Sequence, residues 1–466
     1  MPLPTTFPEQ TALDFNNPLF RTELENLQAN ILKGHGRRYT SCVFLKFRTG
    51  EKAGVKDWIR QLNITSAYQQ LSDTANYKAA KRAALQPLPD GEPVICFFLA
   101  SSGYQLLEIE AEAVPNGTAF NAGMEDRVNI LKDPPKEDWQ QEYRIKADAM
   151  LLVADKNPRR LHDTVQKILE SITDGIITVT IIQKGEVLKK DGLGIEHFGY
   201  ADALSQPQYL NDYETGKVWD DTMPLSTVLV KDAGYKNEKG EVDPTCYGSY
   251  FVFRKLEQHV KAFSEQEESL GNTLFATKEE DARKELAGAY LVGRFENSTP
   301  VVKHQTEMEM KKNGKIDNDF NYENSSDFSK CPYHAHIRLT NPRNAMLTDM
   351  EKAIPGYKKP SRITRRGIPY DEAGRNSNME WKPEGNVGLL FMAYQNSIEE
   401  SFETMQASAN IADGIIGQQT DTANQLWPMQ WGDSRCHLKG FGFEKFVTMK
   451  GGEYFFAPSL PFLKNL

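Results

Sequence analysis

The sequence predicts an α+β protein built as two sandwiches of helices on sheets, and three observations predict it. Apolar segments of strand length recur, each stops sharply, and an amphipathic helical pattern follows. These strand–helix pairs fall into an early and a late set. At 466 residues the chain is too long for one small core.

The elements can be justified in order. "CVFLKFR" reads as an early strand, and "PVICFFLASSGYQLLEIEA" as a strand and helix near 93–111. The segment "DAMLLVADKNPRRLHDTVQKILESITDGIITVTII" shows the pattern best. Ala149 to Ala154 is an apolar run of strand length. Asn157 can cap a helix whose first turn holds Pro158. Leu161, Val165, Ile168, Leu169 and Ile172 share one helical face, and Gly175 ends it. Ile176 to Ile182 is a β-branched strand, so the segment is a β-α-β unit. The late set holds a strand–helix pair near 248–268, "GSYFVFRKLEQHVKAFSEQEE", and another near 386–406, "NVGLLFMAYQNSIEESFETMQ". In the latter, Ser397 and Glu400 make a capping box. "GEYFFAP" is a last strand. The polar stretches 131–145, 231–245 and 303–330 read as loops or insertions.

Composition narrows the function. Lys and Arg number 55 against 64 Asp and Glu, a net charge of −9. That balance disfavours nucleic acid or an anionic membrane surface as the main partner. "MPLPTTFPEQ" has neither the basic nor the apolar region of a secretory signal. The longest apolar stretches, such as "GIITVTII", are far below the ~20 residues that cross a bilayer. Cys42, Cys96, Cys246, Cys331 and Cys436 are scattered and odd in number, without CxxC. The expectation is a reduced, cytoplasmic protein with no disulfide framework and no cysteine zinc site.

Four stretches can carry chemistry. "SKCPYHAHIRLTNPR" holds His334 and His336. On a strand both would share a face and could bind zinc. On a helix, residues two apart point ~200° away from each other, so at most one faces a given ligand. Pro332 favours a helix start and Pro342 stops any helix before Asn341, which favours the second geometry. "GIEHFGYADALSQPQY" sets Asp202 among Gly199, Ala201 and Ala203, a tight backbone on which a carboxylate can approach a flat ligand; an Asp-capped turn is the plainer reading. "SRITRRGIPY" carries Arg365 and Arg366 before a turn, where a solvated basic turn is the default. In "GLLFMAYQ", Leu389 and Phe391 share one strand face and Leu390 and Met392 the other, a pattern of a core strand that can still line a cavity. Trp381, Trp427, Trp431 and 18 tyrosines could pass electrons to a surface, though most will be packing residues.

The order of these stretches is more specific than any one of them. A G-x-x-D segment ending in SQP is followed by C-P-x-x-A-H-x-R-x-T-N-P-R, then R-R-G-x-P-Y, then G-L-L-F-x-A-Y-Q. With "NILKGHGR", "GSYFVFRKL", "VGRFENSTPVV" and "GEYFFAPSLPFL", the chain resembles the dye-decolorising, or DyP-type, haem peroxidases along nearly its whole length. It looks closest to their longer intracellular and fungal-like branch.

The resemblance implies two ferredoxin-like domains, residues 1–195 and 196–466, each an antiparallel sheet with flanking helices, in a dimeric α+β barrel-like arrangement. It implies one haem b per chain, held without covalent attachment since no CxxCH occurs. Residue by residue, His336 matches the axial iron ligand and Arg343 a partner of a haem propionate. Asp202 matches the distal carboxylate, Arg365 the distal arginine, and Leu389 and Phe391 the apolar residues of the distal face. Asp413, in "ADGIIGQ", is assigned as the carboxylate behind the axial histidine. Ala203 stands where the family has glycine; if that position needs positive φ, alanine costs about 1 kcal/mol or shifts the turn. The implied activity is reduction of hydrogen peroxide with oxidation of dyes, phenols and similar one-electron donors. A haem-binding or haem-iron handling protein with little turnover fits His336 equally well, but Asp202 and Arg365 together point to peroxide chemistry. A zinc hydrolase using His334 and His336 lacks a clear third ligand.

Overall fold

The structure is a computed structural model that describes residues 6–201, 204–211, 221–308, 318–323, 335–344, 347–353, 357–374, 383–412, 429–431, 439–441 and 446–466. The first half supplies β1 (Tyr39–Phe47), α1 (Lys52–Gln61), α2 (Ala67–Arg82), β2 (Val94–Leu99), β3 (Ala149–Asp155), α3 (Pro158–Glu170) and β4 (Ile177–Glu186). The second supplies β5 (Tyr247–Gln258), α4 (Val260–Leu274), α5 (Glu280–Val292), α6 (His336–Thr340), β6 (Thr364–Arg365), β7 (Ile368–Asp371), β8 (Val387–Gln395), α7 (Thr404–Ala412) and β9 (Val447–Ala457).

Helix α3 forms where its signals lie. The Asn157 side chain accepts from the Arg159 and Arg160 amides, Pro158 opens the first turn, and Leu161 and Val165 are buried against the sheet. Strands β3 and β4 both pair antiparallel to β1, which lies between them. The β3-α3-β4 segment is therefore a split β-α-β unit. The second half repeats the plan: β8 and β9 flank β5, with α7 in the crossover.

The main sheet runs β7-β8-β5-β9-β2-β3-β1-β4, with β6 on β8. With the two-residue β6 set aside, each half thus carries its second, third, first and fourth strand in the same spatial order. That repeat is the signature of two ferredoxin-like units, as the resemblance implies. The halves meet in the ladder at one residue pair, Phe456 with Leu99. Buried Gln28 reinforces this seam. Its Nε2 donates to the carbonyls of Phe97 and Pro458, and its Oε1 accepts from the Phe97 amide, each at 2.8 Å. At the far ends β4 and β7 close on each other, and a Cβ at Gly185 would come within 2.6 Å of Ile368. Between the halves one aromatic core is shared. Phe98 stacks on Phe251 at 4.3 Å, and Phe44 meets Phe253 edge-on at 4.8 Å. Each buried ring contributes roughly 2–3 kcal/mol.

Three expectations change in detail. The helical segment after β8 begins as a π-helical stretch, Ile398–Glu403, in which Ser397 Oγ accepts the Glu400 amide at 3.2 Å. The 131–145 stretch contains short 3-10 turns, Lys136–Asp138 and Gln141–Arg144. Helix α6 begins at His336 itself. Among the described residues no helix is long and apolar enough to cross a membrane.

Candidate active site

The sheet face carrying Leu389, Phe391, Arg254 and Leu256 forms one wall of a cavity of about 230 Å³; α6 and the 196–205 segment form others. Register explains the wall. Leu389 lies opposite Leu256, and Phe391 opposite Arg254, on antiparallel β8 and β5. Leu390 and Met392, on the alternate face, are fully buried in the core. The period-2 pattern of "GLLFMAYQ" thus separates a core face from a cavity face.

Helix α6 is one short turn that begins with His336. The Arg338 and Leu339 amides donate to the Ala335 carbonyl, Thr340 Oγ1 caps back to His336 O at 2.9 Å, and Pro342 prevents continuation. His336, Ile337 and Thr340 face the cavity, while Arg338 and Leu339 are buried behind. His336 Nδ1 is sealed from solvent. Helix α5 sets the position of this turn. It ends at Gly293 with φ +96, and a Cβ there would come within 2.4 Å of Ile337. Glycine thus permits both the left-handed cap and the close approach of α6.

A guanidinium cluster forms beside α6. Arg343 is 2% exposed and lies 3.7 Å over the Phe320 ring. Its Nη1 donates to the carbonyls of Asn318 and Phe320, and its Nη2 to Ser205 Oγ at 2.9 Å and Asn318 Oδ1 at 2.8 Å. Arg294 donates to the same two acceptors and to Ser298 O. Arg362 pairs with Asp221 at 2.6 Å. Burial, with Arg294 beside it, pulls the Arg343 guanidinium down to about 10, so it stays charged at neutral pH.

Arg365 lines the cavity from β6. Its amide donates to Gln206 Oε1 at 3.0 Å, and Thr364 Oγ1 meets Tyr209 OH at 2.6 Å. Arg362 Nη2 adds a bond to Ser205 O at 3.2 Å. The "SQPQY" segment is thereby fixed in register with the strand bearing Arg365. On the other side Arg366 donates to the carbonyls of Arg365, Asn30 and Ile31, which ties the early "NILKGHG" loop to the same strand.

Of the seven residues singled out from sequence, five border this cavity: His336, Arg343, Arg365, Leu389 and Phe391. Asp202, Ala203, Asp413 and His334 lie outside the described residues, and Leu204 and Ala201 on either side of the Asp202 segment line the cavity. Sequence reasoning missed Arg294, Arg362, Arg254, Ser205, Asn318 and Gln206. "VGRFENSTPVV" and "GSYFVFRKL" contain Arg294 and Arg254, but a lone arginine in a strand or loop gives no local sign of facing a cavity.

This arrangement fits haem. One imidazole, several apolar side chains and a group of guanidiniums line the same cavity. That donor set suits a flat apolar macrocycle with carboxylates and an axially bound iron. Fold and site thus define a class: a double ferredoxin-like protein with a haem-type pocket in its second half. A family model for the C-terminal part of DyP-type peroxidases matches residues 225–426. The multifunctional dye peroxidase DyP2 of Amycolatopsis sp. is 35% identical over 96% of both chains. The solved structure of DyP2 from Amycolatopsis sp. superposes with TM-score 0.82 at 33% identity, covering 98% of this chain and all of that one. That of the DyP-type peroxidase of Anabaena sp. superposes with TM-score 0.81 at 33% identity, covering 97% and 96%. The chain belongs to the DyP-type peroxidase family and is a peroxidase, of a family that depends on haem.

Proposed function

We propose that the cavity holds one non-covalent haem b, with His336 as iron ligand and Arg343 as partner of a propionate, and that hydrogen peroxide is reduced there while dyes and phenols are oxidised. The observation that carries this reading is the convergence of one imidazole, a guanidinium cluster and the apolar pair Leu389 and Phe391 on a single cavity. Haem, when bound, supplies an iron that takes up peroxide and retains the two oxidising equivalents of its cleavage.

The chain's own residues supply the rest. Asp202 would take a proton from one oxygen of peroxide and return it to the other, which leaves as water. Arg365 stabilises the negative charge on that departing oxygen. Leu389 and Phe391 exclude bulk water from the peroxide side. Asp413 accepts the ring N–H of His336 and makes that ligand more electron-rich. The same reading divides the chain into residues 1–195 and 196–466 and places it in the cytoplasm, in keeping with scattered cysteines of which Cys42, Cys96 and Cys246 are buried and free.

An absorption spectrum of the purified protein tests the pocket, and peroxide-dependent bleaching of an anthraquinone dye tests the chemistry. The expected result is a Soret band and bleaching that requires both peroxide and the band. A pure protein with no Soret band after haem is added would overturn the reading. A Soret band without bleaching would favour a haem-handling role instead.

A further inference from the structure

The residues assigned so far leave one group on the cavity wall unused. Arg254, at the centre of β5, is 1% exposed. Its Nη2 donates to Asp133, which the first half contributes from the stretch between β2 and β3. Its Nε and Nη1 are equally buried and have no hydrogen-bond partner among the described residues, and the side chain lines the cavity. A guanidinium carries five N–H donors in a fixed fork, and leaving two of its three nitrogens dry is costly. The other neighbours do not satisfy them. Phe391 lies opposite in the ladder, and the Phe402 ring lies 5.4 Å from the guanidinium carbon.

Charge points the same way. Among the described residues five arginines line the cavity, against one carboxylate, Glu196. Glu196 is engaged elsewhere, since it accepts from the amides of Phe198 and Tyr200 and from Gln258. Asp133 and Asp221 each offset one arginine from behind. Among the described residues the lining therefore carries excess positive charge, and Arg254 offers the N–H groups of Nη1, on the edge away from the one Asp133 takes, as charge-assisted donors to a carboxylate oxygen.

We propose that Arg254 is a carboxylate-binding residue of this cavity, separate from the Arg343 cluster, held in place from the first half of the chain by Asp133. The carboxylate has two sources, a propionate of haem, which rests on the haem reading above, or a small free carboxylate. The shared chemistry is one carboxylate oxygen accepting Nη1–H.

The test compares the wild type with Arg254→Lys, which keeps a cation for Asp133 but loses the second terminal nitrogen of the guanidinium. It adds the double variant Arg254→Met with Asp133→Asn, which removes the ion pair without stranding a charge. Haem-free protein is titrated with haem and with haem dimethyl ester, followed at the Soret band, and haem-loaded protein is titrated calorimetrically with sodium formate. A roughly tenfold or greater loss of haem affinity in both variants, with ester affinity unchanged, supports the proposal with haem as the source. Unchanged haem affinity with loss of formate binding supports it with a free carboxylate as the source. Equal losses for haem and ester, the mark of a merely structural role, overturn it, as does no change in any arm. A wild type that takes up neither haem nor formate overturns this proposal and the haem reading together. A wild type that takes up haem while the variants match it overturns this proposal alone.

Discussion

At the residue scale the site depends on which side chain each short motif presents. "HAH" offers two imidazoles, and the start of α6 at His336 puts that ring on the cavity wall. His336→Ala is expected to abolish the Soret band on haem addition, while His334→Ala keeps it; the reverse result would reassign the axial ligand. Asp202→Asn and Arg365→Leu are expected to retain haem but to slow the reaction with peroxide by ~10²-fold or more, read by stopped-flow absorption. Because a carboxylate base is ionised down to its ordinary pKa near ~3.9, dye oxidation should peak at acid pH in the wild type. Wild-type-like stopped-flow rates would remove either residue from the mechanism. Arg343 was legible because it stands in a long motif. Arg294 was not, although it shares both Ser205 and Asn318 with Arg343. What unites them is a contact between segments 49 positions apart, which no local pattern encodes.

At the scale of elements, periodicity was legible and placement was not. The caps of α3 and the alternation in β8 appear where the sequence puts them, because both are local effects. The pairing of β1 between β3 and β4 was not legible, since a β-α-β pattern leaves open a strand inserted between its two members. Nor was the role of Gly293 visible, because its neighbour Ile337 lies 44 positions away. Gly293→Ala tests that contact. A methyl group 2.4 Å from Ile337, on a residue with φ +96, should cost about 2–3 kcal/mol and displace α6. The expected readout is a lower melting temperature together with weakened haem uptake. Haem uptake equal to wild type would mean that α6 does not depend on this contact.

At the scale of the whole molecule, two halves of matching strand order share one core but touch in the ladder at a single pair. Buried Gln28 bridges the seam, bonding the Phe97 backbone of the first half and the Pro458 carbonyl of the second. Gln28→Leu should lower stability by about 2–4 kcal/mol, measured by denaturant unfolding, since it strands an amide and two carbonyls in the core. A change below about 0.5 kcal/mol would show that this bridge adds little to the hold between the halves.

A second long-range tie has a pH signature. His35 sits in the "NILKGHG" loop that Arg366 holds to the Arg365 strand, and its Nδ1 accepts the Arg37 amide at 3.0 Å. Burial first, then Arg37 and Arg366, hold its pKa down at about 3. The unfolded chain binds this proton near ~6.5 and the folded chain resists it, so stability is full above that pH. It declines as pH falls from ~6.5 towards 3, by at most ~1.4 kcal/mol per unit and by less because the residue keeps some exposure. His35→Asn, which keeps an acceptor for Arg37 but cannot take the proton, should flatten melting temperature against pH across that range. An unchanged slope would place the acid sensitivity elsewhere.

The tie from Arg366 to Asn30 and Ile31 therefore has a cost in service life. In the acid range where a carboxylate base turns over fastest, the loop that steadies the Arg365 strand is under growing pressure to let go. The half-life of the working protein should shorten as its initial rate rises, and total product per molecule should peak at a less acidic pH than speed does.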